Sequence, residues 1–107
     1  MMNNLPLAED EIIINGEVIK VKPVKVKHIK NNFYGHYLIL KQMGIVKLLK
    51  YADGESVLKK FLNAVFNDNQ KIIEKVIDEL DNDKIKKILD IVKKINEIDD
   101  EEDLKNV

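Results

Sequence analysis

The chain has 107 residues, 45% apolar and 35% charged, with a net charge of −1; this predicts one domain with one core and excludes disorder by composition. It has no cysteine, which excludes disulfide scaffolds, thiolate catalysis and sulfur-ligated zinc. All 18 basic residues are lysine, so the planar guanidinium fork that reads phosphates is missing.

No apolar run approaches the roughly 18 residues needed to span a bilayer. The start, Met1-Met2-Asn3-Asn4-Leu5-Pro6, lacks the basic end and apolar stretch of a secretory leader. The expected location is the cytoplasm, with no membrane partner. The charge is unevenly spread: residues 20–50 hold eight lysines and no acid, whereas 53–107 hold ten lysines and fifteen acids. Such a split is ordinarily the solvated surface of a hairpin and helices, but it can also steer a partner or organise head-to-tail self-association.

Residues 1–10 carry little pattern and read as a loose lead into the folded part, 11–98. Two β-branched runs, Ile12-Ile13-Ile14 and Val18-Ile19-Lys20-Val21, flank Asn15-Gly16, the strongest short-range signal for a type I′ hairpin. In the second arm Val18 and Lys20 point one way, and Glu17, Ile19 and Val21 the other. An isolated two-stranded hairpin is marginal, so this one must pack on helices or on another chain. Pro23 ends the arm by withholding a ladder donor.

Residues 25–51 read as one long helix to about Met43, with Ile29, Phe33, Tyr37 and Leu40 on its stripe and a break or kink near Gly44. Tyr37-Leu38-Ile39-Leu40 is apolar on all sides, which implies a central helix or one with an extra partner face. Asp53-Gly54 is a turn signal. Three amphipathic helices follow. The first carries Val57, Leu58, Phe61, Leu62, Val65 and Phe66 and starts near Glu55 or Ser56. The second carries Ile72, Ile73, Val76, Ile77 and Leu80, and the third Ile85, Ile88, Leu89, Val92 and Ile95, widened by Ile91 and Ile98. Asn67-Asp68-Asn69 and Asp81-Asn82-Asp83 separate them and offer capping oxygens. Asp99-Asp100-Glu101-Glu102-Asp103 opens an acidic tail, 99–107, expected to be solvated and mobile. The fold class is therefore α+β, mainly α: an N-terminal β-hairpin and about four amphipathic helices in a single domain.

The search for chemistry finds little. His28 and His36 are eight apart, about 12 Å along a helix, too far to share a metal without ligands from elsewhere; no carboxylate is near either in sequence. Asp78, Glu79, Asp81 and Asp83 sit where capping and solvation explain them. Neither an EF-hand loop nor a glycine-rich phosphate cradle is present, since Gly16, Gly35, Gly44 and Gly54 occur singly. A non-enzymatic protein with no cofactor or metal is the expectation. Lys20, Lys22, Lys25, Lys27 and Lys30 followed by Phe33, Tyr34 and Tyr37 raise the alternative of a lysine-based nucleic-acid binder. Against it stand the missing arginine and the acidic second half.

The order of features resembles a family. An Ile-Asn-Gly hairpin leads through Val-Lys-Pro-Val-Lys-Val (21–26) to an aromatic, lysine-rich helix and three short amphipathic helices. The chain closes on Val92-Lys93-Lys94-Ile95-Asn96-Glu97-Ile98 and the acidic tail. Over about residues 11–98 this resembles the tail assembly chaperones of long-tailed bacteriophages and prophages of low-GC Gram-positive hosts. Other small phage structural proteins share the hairpin opening, which leaves a small structural tail component as a further alternative. The resemblance implies a cytoplasmic, non-catalytic protein that binds and shields the tape measure protein before the tail tube polymerises. It also implies self-association, contact with tail tube subunits and, in many members, a longer frameshifted form. Reversible binding of a client needs apolar surface. The apolar surplus at Tyr37, Leu38, Ile39, Leu40, Ile45, Val46, Leu48 and Leu49, together with the hairpin, is the candidate protein-binding surface.

Overall fold

Two β-branched runs on either side of an Asn-Gly pair favour a hairpin. In the computed structural model, which describes residues 7–99, β1 (Glu11–Ile14) pairs antiparallel with β2 (Glu17–Lys20). Asn15 (φ 52°) and Gly16 (φ 78°) both take positive φ, the requirement of a type I′ turn. Ile12 lies opposite Ile19 and Ile13 opposite Val18. The first pair is buried and the second exposed; alternation puts them on opposite faces, and packing of β1 on α4 and α5 selects the inner one. The end of the lead, residues 8–10, is tied to the hairpin. Val21 N–H donates to the Asp10 carbonyl at 2.7 Å, and Ala8 N–H donates to the Glu11 carboxylate at 3.0 Å. Residues 1–6 of the lead and 100–107 of the acidic tail lie outside the described residues.

The first helical stretch differs from the single long helix expected. A four-residue helix, α1 (Val26–Ile29), stops at Lys30, and α2 (Phe33–Leu48) begins after Asn32, which sits in the left-handed region at φ 65°. Asparagine tolerates that conformation at low cost. Ile29 is consequently exposed, while Phe33, Tyr37 and Leu40 are buried. The expected kink is present at Gly44 (φ 76°, ψ 167°), a backbone region open essentially to glycine alone. It turns Ile45 and Leu48 into the core.

Helix α3 (Gly54–Val65) starts at the expected turn residue itself, where a Cβ would run into the Leu48 carbonyl. Close passage of the two backbones requires glycine there. Helix α4 (Gln70–Glu79) is capped by Asn69, whose side chain accepts from Ile72 N–H at 3.2 Å. Asp81 caps α5 (Asn82–Ile95) by accepting from Lys84 N–H at 2.8 Å. Both caps lie in the polar breaks that the sequence marks, and each satisfies a donor that a bare helix start leaves open.

The layout is mainly helical behind an N-terminal hairpin. Helix α2 packs on α3 and α5, and the inner face of β1 meets α4 and α5. Phe61, Leu62, Leu40, Ile14, Ile88, Val76 and Val92 form the innermost part of the core. Burying each such side chain contributes roughly 1.5–3 kcal/mol. Asn96 fastens the hairpin exit to α5: its Oδ1 accepts from Val24 N–H at 2.9 Å and its Nδ2 donates to the Val92 carbonyl at 3.0 Å.

Candidate functional site

The segment singled out by its apolar surplus divides sharply. Tyr37, Leu40, Ile45 and Leu48 are buried in the core and present no surface to a partner in this conformation. Their neighbours α3 and α5 account for the excess that made them look unpartnered. Leu38 and Ile39 are half-buried against the core. Val46 and Leu49 are exposed. Thus two of the eight candidate residues stand open, both after the Gly44 kink.

Leu49 opens onto a feature that lies beyond that segment. A groove of about 790 Å³ runs between α3 and α4, with Leu58 and Ile73 in its floor and Leu49, Tyr51 and Ile77 on its walls. Leu58 and Ile73 are buried, whereas Leu49, Tyr51 and Ile77 are 48%, 56% and 37% exposed. The groove arises from helical spacing. Gln70, Ile73, Glu74 and Ile77 fall at i, i+3, i+4 and i+7 on one flank of α4, and Glu55, Lys59 and Asn63 form an i, i+4 row along α3. Gln70 Nε2 donates to Asn63 Oδ1 at 3.2 Å, bridging the two helices near one end. The charged rim is Glu55, Lys59 and Glu74. Ile77 belongs to the stripe that sequence periodicity assigns to the core, so nothing in that stripe marked it as exposed.

The hairpin keeps Ile13 and Val18 exposed on its outer face. It is anchored on α4 from the inner side: Asn15 N–H donates to Glu79 Oε1 at 3.0 Å, and Lys75 Nζ meets Glu17 Oε1 at 2.8 Å.

The two histidines lie on different helices, His28 on α1 and His36 on α2. His28 Nε2 lies 3.1 Å from Asp68 Oδ2, and Lys27 Nζ lies 2.9 Å from the same oxygen. These contacts hold α1 against the α3–α4 connection. Their partner is forty residues away in sequence, which is why no carboxylate near His28 was apparent. The Lys27 hydrogen bond, with a smaller contribution from His28, keeps the Asp68 carboxyl below its ordinary value. His36 is buried on α2. Burial, and secondarily the Lys60 charge, push its imidazole below the ordinary value. Among the described residues no group of three or more histidine, aspartate or glutamate side chains converges as a metal site.

Two of the five lysines and two of the three aromatic rings in the cluster that suggested nucleic acid are engaged within the fold. Lys20 meets Asp10 at 3.4 Å and Lys27 meets Asp68. Phe33 and Tyr37 are buried, and Phe33 stacks on Phe61; neither ring is offered to a base. Among the described residues no helix is long and apolar enough to cross a membrane. No family model, curated protein or solved structure matches the chain.

Proposed function

We propose that this protein is a non-catalytic binding protein of the cytoplasm of a bacterial host, acting as a phage tail assembly chaperone that shields the tape measure protein. The observation that carries the reading is the α3–α4 groove, where Leu49, Tyr51 and Ile77 remain exposed around a buried floor. An amphipathic client helix binds such a groove through apolar side chains at i, i+3 or i+4, and i+7. Each client side chain taken out of water contributes roughly 25 cal/mol per Å², while the charged rim keeps the empty groove soluble. Binding of this kind is reversible, as shielding before tube polymerisation requires. The resemblance in the order of hairpin and helices supports a tape measure protein as the client, and the groove supports helix-in-groove binding as the means.

Co-expression with a tape measure fragment tests it. The fragment should stay soluble and co-purify with the protein, and Ile77→Asp should return it to the pellet. Equal aggregation of the fragment with and without the protein would sink the proposal.

A further inference from the structure

We infer that the acidic tail folds back on its own molecule, setting residues 99–103 on the lysines of the hairpin exit and α1, and Leu104 on the exposed face of α1. Helix α1 buries none of its four residues. Val26 and Ile29 are 65% and 54% exposed and, at i and i+3, share one face. Lys25 and Lys30 border that face and Lys22 precedes it; all three are exposed, with no ion-pair partner among the described residues. The face is presented in a set direction, because Lys27 and His28 are fixed on Asp68. Among the described residues Asp68 is the one acid paired with α1, and residues 20–50, which include α1 and α2, contain none.

The tail starts beside this surface. Asn96 Oδ1 holds Val24 N–H at 2.9 Å, which places the end of α5 at the hairpin exit, and Val24 lies between Lys22 and Lys25 in sequence. Five consecutive acids start three residues beyond Asn96, and Leu104 follows them. Eight extended residues from Asn96 to Leu104 reach about 27 Å, whereas Val24 to Ile29 is at most about 17 Å of chain, so the tail spans α1 with length to spare. Lys93 and Lys94, in the last turn of α5, add positive charge at the same corner. Glu97 and, in the tail itself, Lys105 oppose the pairing, and the five acids outweigh both. Carboxylates followed by a leucine are the complement of lysines bordering an apolar face.

A single exposed ion pair contributes little. Tethering changes the outcome. The tail is attached beside its target, so its effective concentration is about millimolar and closing the short loop costs little entropy. Several weak pairs then act together, and salt screens them. Seated in this way the tail covers Val26 and Ile29 and neutralises the lysines, an autoinhibitory contact that keeps external polyanions off the basic face. It joins the two halves of the uneven charge distribution within one molecule. The contact is separate from the α3–α4 groove, which none of these residues lines.

Amide NMR of the labelled full chain tests the inference. The unaltered protein is compared with a neutralised tail combining Asp99→Asn, Asp100→Asn, Glu101→Gln, Glu102→Gln and Asp103→Asn, and circular dichroism verifies the fold of each variant. At about 50 mM salt the two proteins should differ at Lys22, Lys25, Val26, Ile29 and Lys30, and at about 1 M salt they should coincide there. Leu104→Ser should move Val26 and Ile29. The differences should persist over a roughly tenfold dilution, because a tethered partner has a fixed effective concentration. A single-stranded oligo-dT probe should bind the neutralised variant about tenfold or more tightly than the unaltered protein at the lower salt. Differences confined to the last turn of α5, differences that fade on dilution (the mark of a second copy), or equal affinity of the two proteins for the probe, absence of binding included, would each overturn the inference.

Discussion

The Phe33 ring lies parallel to that of Phe61, 5.7 Å between centroids and 6° between planes, joining the first turn of α2 to the middle of α3. Phe61 is fully buried, so truncation costs its burial, the aromatic contact and a cavity. Phe61→Ala should lower unfolding stability by about 3–5 kcal/mol, read from urea melts. Phe61→Leu, which fills most of the space, should cost clearly less.

The kink at Gly44 gives a second prediction. At φ 76° and ψ 167° a Cβ is strained whatever the space around it, and the nearest neighbour, Asn82 Oδ1 at 3.6 Å, is not a clash. Gly44→Ala should therefore destabilise by about 1–3 kcal/mol through backbone strain alone. A straightened α2 that raised stability would show that the kink is not required by the packing of Ile45 and Leu48.

Stability should also depend on pH through His36. Its folded imidazole titrates below the ordinary 6.5, so between those values the unfolded chain binds the extra proton. The contribution is complete above about pH 6.5 and is lost as pH falls through the depressed folded value. Asp68, held below 3.8, adds a second loss at lower pH, beginning near 3.8 and continuing as the folded carboxyl takes up its proton. Melting temperatures of the protein and of His36→Leu across this range check the assignment. The substitution should remove the upper slope and leave the acidic one.

Within the proposed groove, Ile77 is partly exposed and Ile73 is buried. Ile77→Asp should leave the melting temperature nearly unchanged yet abolish co-purification of a client helix. Ile73→Asp should unfold the protein, since it buries an unpaired carboxylate. Equal effects of the two on stability would show that Ile77 belongs to the core.

The elements differ in how plainly the sequence announces them. Asn15-Gly16 dictates its turn, and alternation puts Val18 and Ile19 on opposite faces, because both signals are local; which face is inside depends on the helices packed against it. Asn69 and Asp81 cap the helices that follow for the same reason. The break at Asn32 is quieter: neither glycine nor proline marks it, only a pair of asparagines able to take a left-handed conformation. The site is harder still. Whether Leu40 or Leu49 faces a neighbour depends on how α3 and α5 dock against α2, and Ile77 leaves the core because α4 settles beside α3 with a gap. Periodicity reports which residues share a face. It does not report how far a neighbouring helix covers it.

The most direct measurement is an amide NMR titration of the labelled full chain with an amphipathic helical fragment of the tape measure protein. The account predicts that the shifts concentrate at Leu49, Tyr51, Leu58, Ile73 and Ile77 and vanish in Ile77→Asp. Saturable binding that leaves these amides unmoved, or no binding at all, would contradict it.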